Sequence, residues 1–236
     1  ALPILRVMNA DGTNAERFSD GTQPRWHPDG KSLVCSTLRR GWEHSKVDLK
    51  TKETEPYLAD FRHSEAIRFS KDGKRVLLNV VQMNKPRLLS MAVDGDRDSI
   101  TELHDGPCQH AIFSPDGKWI AFASKRHGGW DIFVAPSDGG AAQQITWHAG
   151  AEFPGGWSPD GKQLVFAGRR DSPNYALYTV DLKTFATGRL CEDYAAMNYP
   201  AFAPDGKTVV YHLTTVDLAK NTSSAALWLA PADGKF

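Results

Sequence analysis

The sequence predicts an all-β fold, a single β-propeller of four-stranded antiparallel blades. A short motif carries this prediction: an aromatic residue, two further residues and then Asp-Gly-Lys. The motif occurs five times, and its aspartates are Asp29, Asp72, Asp116, Asp160 and Asp205. The copies follow one another at spacings of 43, 44, 44 and 45 residues. A regular repeat of this length, rich in short β-prone runs, is typical of propeller blades.

Each repeat is predicted to form two hairpins. In the first hairpin the motif turns the chain between strands A and B: proline presets φ, aspartate bonds the nearby backbone, and glycine takes a positive φ. In the second hairpin an alternating strand C leads through a polar turn to a short strand D, most clearly at residues 131–134 and 143–146. Four short strands therefore account for each repeat.

The repeats begin near residues 23, 66, 110, 154 and 199. Residues 4–18 have the pattern of a C–D pair without an A–B pair before it, and the last repeat shows strands A, B and C. We therefore expect one domain over residues 1–236, with the termini meeting in a closing blade, because closure removes an exposed sheet edge. The strand count favours five blades.

Composition excludes several classes of function. Lysine plus arginine and aspartate plus glutamate both number 28, so the formal net charge is zero. A nucleic-acid binder usually has a basic excess, so no nucleic-acid partner is expected. No run approaches the roughly 18 apolar residues of a membrane span, so no membrane insertion is expected. No nucleophile elbow, P-loop, dinucleotide fingerprint or His-Glu-x-x-His motif is present, so no catalytic residue is assigned.

The repeat resembles the PD-type, WD40-like repeat of the TolB-like propellers. The resemblance is carried by Phe-Ser-Pro-Asp-Gly-Lys-Trp-Ile-Ala-Phe-Ala-Ser at 113–124, Asp-Ile-Phe-Val at 131–134, and Val-Met-Asn-Ala-Asp-Gly at 7–12. It covers almost the whole chain. Members of that family are mostly six-bladed, so six blades is the alternative to five. The family includes periplasmic interaction proteins, propeller parts of serine peptidases and polysaccharide lyases, so the resemblance implies a periplasmic or secreted protein without selecting a function.

Propeller topology places the candidate binding residues on one face. The D–A and B–C connections share that face, and the D–A connections lead to the innermost strand at the mouth of the central channel. The polar side chains predicted to line the mouth are Gln23, His63, Glu65, Gln109, His110, His148, Glu152 and Asn198. The B–C connections are predicted to add a basic rim that includes Arg39, Arg126 and Arg170.

Arginines on a rim suit an anion, so the expected partner is a peptide segment of another protein, a small anionic ligand or an anionic carbohydrate. The alternative is that the rim arginines pair with acidic residues such as Asp171 and that the polar groups bond neighbouring blades.

His63, His110 and His148 come from three successive repeats and raise a second functional hypothesis. Imidazoles with an open position suit a divalent metal, and TolB-like lyases are similar in holding a metal partly through histidines. On this alternative hypothesis the protein is a metal-assisted lyase or hydrolase that acts on acidic oligosaccharides. The histidine spacing matches no lyase motif, so no metal ligand or cofactor is assigned. The sequence therefore predicts a non-catalytic binding propeller.

Overall fold

The computed structural model describes residues 4–8, 13–38, 42–61, 67–82, 85–171, 173–190, 196–217 and 222–233. These residues form β-strands and turns, with one short 3₁₀ helix at Arg97–Ser99. Within these ranges no helix has the length and apolar character needed to cross a membrane. The chain divides into two compact units, residues 1–105 and 106–236.

The first unit contains three antiparallel sheets in chain order: a two-stranded sheet β1–β2 and two four-stranded sheets, β3–β6 and β7–β10. Its strands are β1 Ile4–Val7, β2 Glu16–Asp20, β3 Thr22–Trp26, β4 Ser32–Leu38, β5 Trp42–Asp48, β6 Thr54–Pro56, β7 Ile67–Phe69, β8 Arg75–Gln82, β9 Lys85–Ala92 and β10 Thr101–Asp105.

The second unit also contains three antiparallel sheets: two four-stranded sheets, β11–β14 and β15–β18, and a three-stranded sheet β19–β21. Its strands are β11 Cys108–Phe113, β12 Trp119–Ser124, β13 Asp131–Pro136, β14 Gln143–Gln144, β15 Glu152–Trp157, β16 Gln163–Gly168, β17 Ala176–Asp181, β18 Thr187–Arg189, β19 Ala196–Phe202, β20 Thr208–Asp217 and β21 Thr222–Pro231.

The predicted order of strands is confirmed. Strands A, B, C and D follow one another as neighbours in each four-stranded sheet, and β1–β2 form the predicted C–D pair. Each of the five motifs lies at the A–B turn of its own sheet, so each repeat corresponds to one blade. The meeting of the termini in a closing blade stays a prediction.

Local hydrogen bonds explain why the motif forms a turn. The motif glycines all have φ between 67° and 72°. In the third repeat the Asp116 carboxylate accepts from the Lys118 N–H at 3.1 Å, and the Ser114 hydroxyl donates to the same carboxylate at 2.6 Å. Ser114 also accepts from the Trp119 N–H at 3.0 Å, which joins the turn to the next strand. The motif therefore satisfies its own backbone without help from other sheets.

Replacing Gly117 with valine should lower the free energy of unfolding by about 1–3 kcal/mol, because a β-branched residue is strained at positive φ. Gly117 has a φ of 72°, and a Cβ atom there would meet nothing within 4 Å. The expected cost therefore comes from the local backbone conformation and not from a clash with another part of the protein. Gly117→Asn is the matched control, since asparagine tolerates this region. Urea unfolding of both variants measures the difference. Equal stability of the valine and asparagine variants would contradict the turn assignment.

The hydrophobic cores lie between successive sheets. In the second unit one core joins Ile132 and Val134 of β13 to Leu164 and Phe166 of β16. The first strands β11, β15 and β19 contact one another in turn. Strand A is therefore the strand through which neighbouring blades of this unit approach each other, as the propeller prediction requires.

Candidate functional site

The structure places the predicted site residues at the ends of strands and in the connections between them. Gln23, Gln109 and His110 lie in the A strands β3 and β11, and Glu152 is the first residue of β15. His148 lies between β14 and β15, whereas Arg126 and Arg170 lie in the B–C connections of their sheets. The side chain of Asn198, in β19, and the residues His63, Glu65 and Arg39 lie outside the described part of the chain.

Two of the predicted residues occupy the same strained position of the repeat. Gln23 has a φ of 52° and His110 a φ of 55°, and each lies six residues before its motif aspartate. The pairing register of the A and B strands shifts at both places, as in a β-bulge. The bulge re-aims the side chain at this position, a common use of bulges beside binding sites. Gln23 is exposed and His110 is partly buried.

Glu152 and Arg170 form an ion pair whose carboxylate is buried and whose guanidinium is partly buried. The Glu152 side chain is fully buried, and the Arg170 Nε–H donates to its carboxylate. A second Arg170 nitrogen donates to the Thr187 hydroxyl at 2.8 Å, and the guanidinium lies over the rings of Phe166 and Tyr178 at 5.3 and 5.5 Å. This rim arginine therefore has a carboxylate partner, as the alternative reading of the sequence expects, but that partner is not Asp171.

Burial raises the pKa of the Glu152 carboxyl above its ordinary value of 4.5, against the opposing effects of the Thr146 hydroxyl and the Arg170 guanidinium. A raised folded-state pKa means that the folded protein binds this proton more tightly than the unfolded chain. The contribution of Glu152 to stability therefore falls as pH rises from below 4.5 through the folded-state pKa.

We expect the wild type to lose stability relative to Glu152→Gln as the pH is raised across this window. Urea unfolding of both proteins from pH 4 to pH 7 measures the difference, and the glutamine variant is the control for every other titrating group. If the stability of the wild type relative to Glu152→Gln stayed constant or rose with pH, the effect of burial on the Glu152 carboxyl would be contradicted.

The connection before Glu152 is held by backbone contacts. The Glu152 N–H donates to the Trp130 carbonyl at 2.8 Å, and the Arg169 N–H donates to the Ala151 carbonyl at 3.0 Å. His148 takes part through its backbone N–H, which donates to the Asp131 carboxylate at 3.1 Å, while its Nδ1 accepts from the Gly150 N–H at 2.9 Å. The D–A connection is thereby fastened to two B–C connections.

These connections bring four rings together on the predicted face. Phe153 lies at the centre, with ring centroids 5.0 Å from His110, 5.6 Å from Trp130 and 6.0 Å from Tyr175. All four side chains are partly buried. The rings come from one A strand, the next A strand and two B–C connections, so only the folded unit assembles this aromatic cluster.

Two cations flank the aromatic cluster. Lys125 Nζ lies 5.1 Å from the Trp130 ring centroid, and the Arg169 guanidinium carbon lies 4.4 Å from that of Tyr175. Both cations are exposed. Neither forms an ion pair with a carboxylate in the described ranges. The cluster therefore presents two positive charges whose positions are fixed by aromatic rings.

Arg126 repeats the packing of Arg170 in the neighbouring sheet. Its guanidinium carbon lies 4.6 Å from the Phe133 ring centroid and 5.9 Å from that of Phe122. Arg126 is exposed, so it adds to the positive charge of this face. The basic rim predicted from the sequence includes Arg126 and Arg170. That prediction assigns no role to Phe153 or Tyr175, because nothing in the repeat marks them as binding residues.

The described part of the chain contains no donor set for the hypothetical metal. No group of three histidine, cysteine, aspartate or glutamate side chains is arranged there to hold an ion. His148 Nδ1 already accepts a backbone hydrogen bond, and the His110 ring packs on Phe153. His63 lies outside the described residues. The residues that are described do not fit a metal.

Five antiparallel sheets carry one motif each, four of them four-stranded and the last three-stranded in the described residues, and they define the chain as a five-bladed β-propeller. The model of the TolB beta propeller domain matches residues 3–236, and the chain belongs to that family. An uncharacterized protein of Agrobacterium fabrum, Atu1656, is 30% identical over 179 residues, which cover 72% of this chain and 55% of that protein. The chain therefore spans about half the length of this curated relative.

Solved structures agree on the fold. A putative TolB from Agrobacterium tumefaciens has a TM-score of 0.77 at 17% identity and covers 98% of this chain and 91% of its own. TolB from Acinetobacter baumannii has a TM-score of 0.73 at 22% identity, over 97% of this chain and 59% of its own. An oligogalacturonate lyase in complex with manganese has a TM-score of 0.64 at 16% identity, over 93% of this chain and 69% of its own. Two structures named TolB and one named an oligogalacturonate lyase thus share this fold, so the fold does not select a function for this chain.

Proposed function

We propose that this chain is a non-catalytic binding propeller that holds an acidic peptide segment of a partner protein. The observation that carries the proposal is the aromatic cluster flanked by Lys125 and Arg169. Both cations are exposed, are fixed by rings and lack an intramolecular carboxylate partner among the described residues. Such groups can pair with carboxylates of a ligand at little cost in side-chain ordering.

The arrangement favours an acidic peptide over an acidic sugar. A sugar ring needs a free aromatic face on which to stack, but Trp130 and Tyr175 are partly buried, and each contacts both a cation and the Phe153 ring. Carboxylates on a flexible peptide need only reach the two cations. The relatives named TolB support a protein-binding role, and a periplasmic or secreted location forms part of the proposal. The predicted mouth residues Gln109, His110 and His148 of the same unit are proposed as further contacts of the peptide.

The test is direct binding of fluorescein-labelled hexaglutamate to the full chain, followed by fluorescence anisotropy. We expect the double variant Lys125→Glu/Arg169→Glu to weaken binding on the order of tenfold, since each exposed pair contributes up to about 1 kcal/mol. Binding should also weaken as salt is raised, because the Debye length falls to about 8 Å at physiological ionic strength. Arg170 is unsuited to reversal, because a glutamate there would face Glu152.

Lys118→Glu is the matched control for Lys125→Glu alone, because each changes the net charge by the same amount. Lys118 directly precedes β12 and Lys125 directly follows it, so the two lysines stand at opposite ends of one strand. The control should bind hexaglutamate as the wild type does. Equal weakening of binding by Lys118→Glu and Lys125→Glu would show that net charge alone causes the effect. Tighter binding of oligogalacturonate than of hexaglutamate would favour a sugar ligand. Either result would overturn the proposal.

A further inference from the structure

The first unit contains a cavity of about 770 Å³. One side of its wall is formed by the sheet β3–β6 and the connection that follows this sheet. The other side is formed by the A–B and C–D turns of the sheet β7–β10. Small-molecule sites have volumes of roughly 300–1,000 Å³, so the cavity has the size of a ligand site. It shares no residue with the aromatic cluster, which belongs to the second unit.

The first repeat has a histidine in this cavity wall where other repeats have a serine. His27 lies two residues before its motif aspartate, and the equivalent residues of the next three repeats are Ser70, Ser114 and Ser158. Each of those hydroxyls donates to its own motif aspartate at 2.6 Å. In the first repeat the Ser32 hydroxyl donates to the Asp29 carboxylate instead, and the His27 Nδ1 lies 2.9 Å from it. A serine would serve the turn equally well, so the turn does not explain the histidine.

Two further departures of the first repeat line the same cavity. Lys46 lies in β5, and the equivalent strand-C residues of the next three repeats are Ser90, Val134 and Thr179. Tyr57 follows β6 at the position where the third and fourth repeats have the apolar residues Ile145 and Leu190. The Lys46 ammonium lies 3.1 Å from the Asp29 carboxylate, and the Tyr57 hydroxyl donates to the Val93 carbonyl at 2.8 Å. Three polar departures from the repeat therefore meet in one cavity.

The cavity wall also presents one positive and one negative charge that are available to a ligand. The wall cations Lys46 and Arg97 both have carboxylate partners. Lys74 and Asp94 form no ion pair among the described residues, and both are exposed. The Val93 N–H donates to the Lys74 carbonyl at 3.1 Å, so the two charged residues belong to adjacent backbone segments.

We propose that this cavity binds a free aromatic α-amino acid. An α-amino acid carries its carboxylate and its ammonium on one carbon, which suits two opposite charges on adjacent backbone segments. The carboxylate pairs with Lys74 and the ammonium pairs with Asp94. The aromatic side chain packs on the apolar part of the wall, at Tyr57 and Leu58. Burial of the ring supplies affinity, and the charge pair fixes the orientation of the ligand.

His27 favours tryptophan among the aromatic amino acids. Its Nδ1 lies closer to the Asp29 carboxylate, at 2.9 Å, than to the Asp29 amide nitrogen, at 3.2 Å, so we assign the ring proton to Nδ1. Burial and the nearby Lys46 ammonium lower the pKa of the His27 imidazole, so the ring is neutral at neutral pH. Nε2 is then an acceptor, and an indole N–H is a donor that suits it.

The test is isothermal titration calorimetry of the full chain with L-tryptophan and two analogues. Tryptamine lacks the carboxylate, and indole-3-propionate lacks the ammonium. We expect L-tryptophan to bind and each analogue to bind on the order of tenfold more weakly, because each loses one charge-assisted pair.

Variants of the wall test the assigned contacts. Lys74→Gln and Asp94→Asn should each weaken L-tryptophan binding on the order of tenfold, and His27→Ser should weaken it about fivefold. His27→Ser should still fold, because three other repeats have serine at this position. The matched controls are Lys118→Gln and Asp138→Asn, which change the equivalent positions of the third repeat. Both controls should bind L-tryptophan as the wild type does.

Four results would overturn the proposal. The first is a wild type that does not bind L-tryptophan at millimolar concentration, and the second is an analogue that binds as tightly as L-tryptophan. The third is unchanged binding to both Lys74→Gln and Asp94→Asn. The fourth is equal weakening by the third-repeat controls. None of these results bears on hexaglutamate binding, because the cavity uses only residues of the first unit.

Discussion

Replacing Gly150 with alanine should lower the free energy of unfolding by about 3 kcal/mol or more, at the upper end of overpacking effects. An ideal Cβ at this position would lie 1.7 Å from the Arg169 carbonyl oxygen and 2.7 Å from its carbon. Both are backbone atoms, which cannot rotate away as a side chain can. The D–A connection would have to separate from the B–C connection.

The same displacement should reduce ligand binding. Arg169 N–H donates to the Ala151 carbonyl one residue beyond Gly150, so movement of this connection also moves the Arg169 cation. We therefore expect Gly150→Ala to weaken hexaglutamate binding at protein concentrations and temperatures where the variant is still folded. Urea unfolding and anisotropy measure the two effects separately.

Gly188→Ala is the matched control for Gly150→Ala. The nearest atom to a Cβ at Gly188 is the Thr179 Oγ1 at 3.5 Å, an ordinary contact. We expect its stability to stay within about 0.5 kcal/mol of the wild type. If Gly150→Ala and Gly188→Ala unfolded at the same urea concentration, the close approach of the two connections would be wrong.

Phe166→Ala should cost about 3–5 kcal/mol, the range for a buried aromatic side chain. Phe166 is fully buried between two sheets and stacks on Tyr178 with a centroid distance of 5.4 Å. It also lies beneath the Arg170 guanidinium. Its removal leaves a cavity and takes away one of the two rings on which the guanidinium of the Glu152–Arg170 ion pair packs.

Trp119→Ala provides the comparison for an exposed aromatic residue in the preceding sheet. Trp119 keeps 45% of its surface exposed, so we expect its loss to cost far less than the loss of Phe166. Thermal or urea unfolding measures both variants. Comparable destabilisation by Trp119→Ala and Phe166→Ala would show that the core between these sheets is not where the structure places it.

The candidate site was predictable in part. The sequence prediction that Arg126 and Arg170 lie in B–C connections is confirmed, because strand order within a repeat follows from local turns. The ion pair of Arg170 was not predicted: Glu152 pairs with Gly168 across the A–B hairpin and so lies near Arg170, but its complete burial depends on packing that the repeat does not specify. The cations at Lys125 and Arg169 were visible as charges, but the rings that fix them were not.

The sequence by itself determined the repeat, the antiparallel strand order and the A–B turns. Each turn is made by hydrogen bonds among residues fewer than six apart, such as those joining Asp116 to Lys118 and Ser114 to Trp119, so local sequence suffices. Only the tertiary structure decided that Phe153 meets His110 from one sheet and Tyr175 from its own. Those outcomes depend on contacts between segments more than twenty residues apart or in different sheets. A repeat carries little information about such contacts, because equivalent positions have the same backbone and differ only in what packs against them.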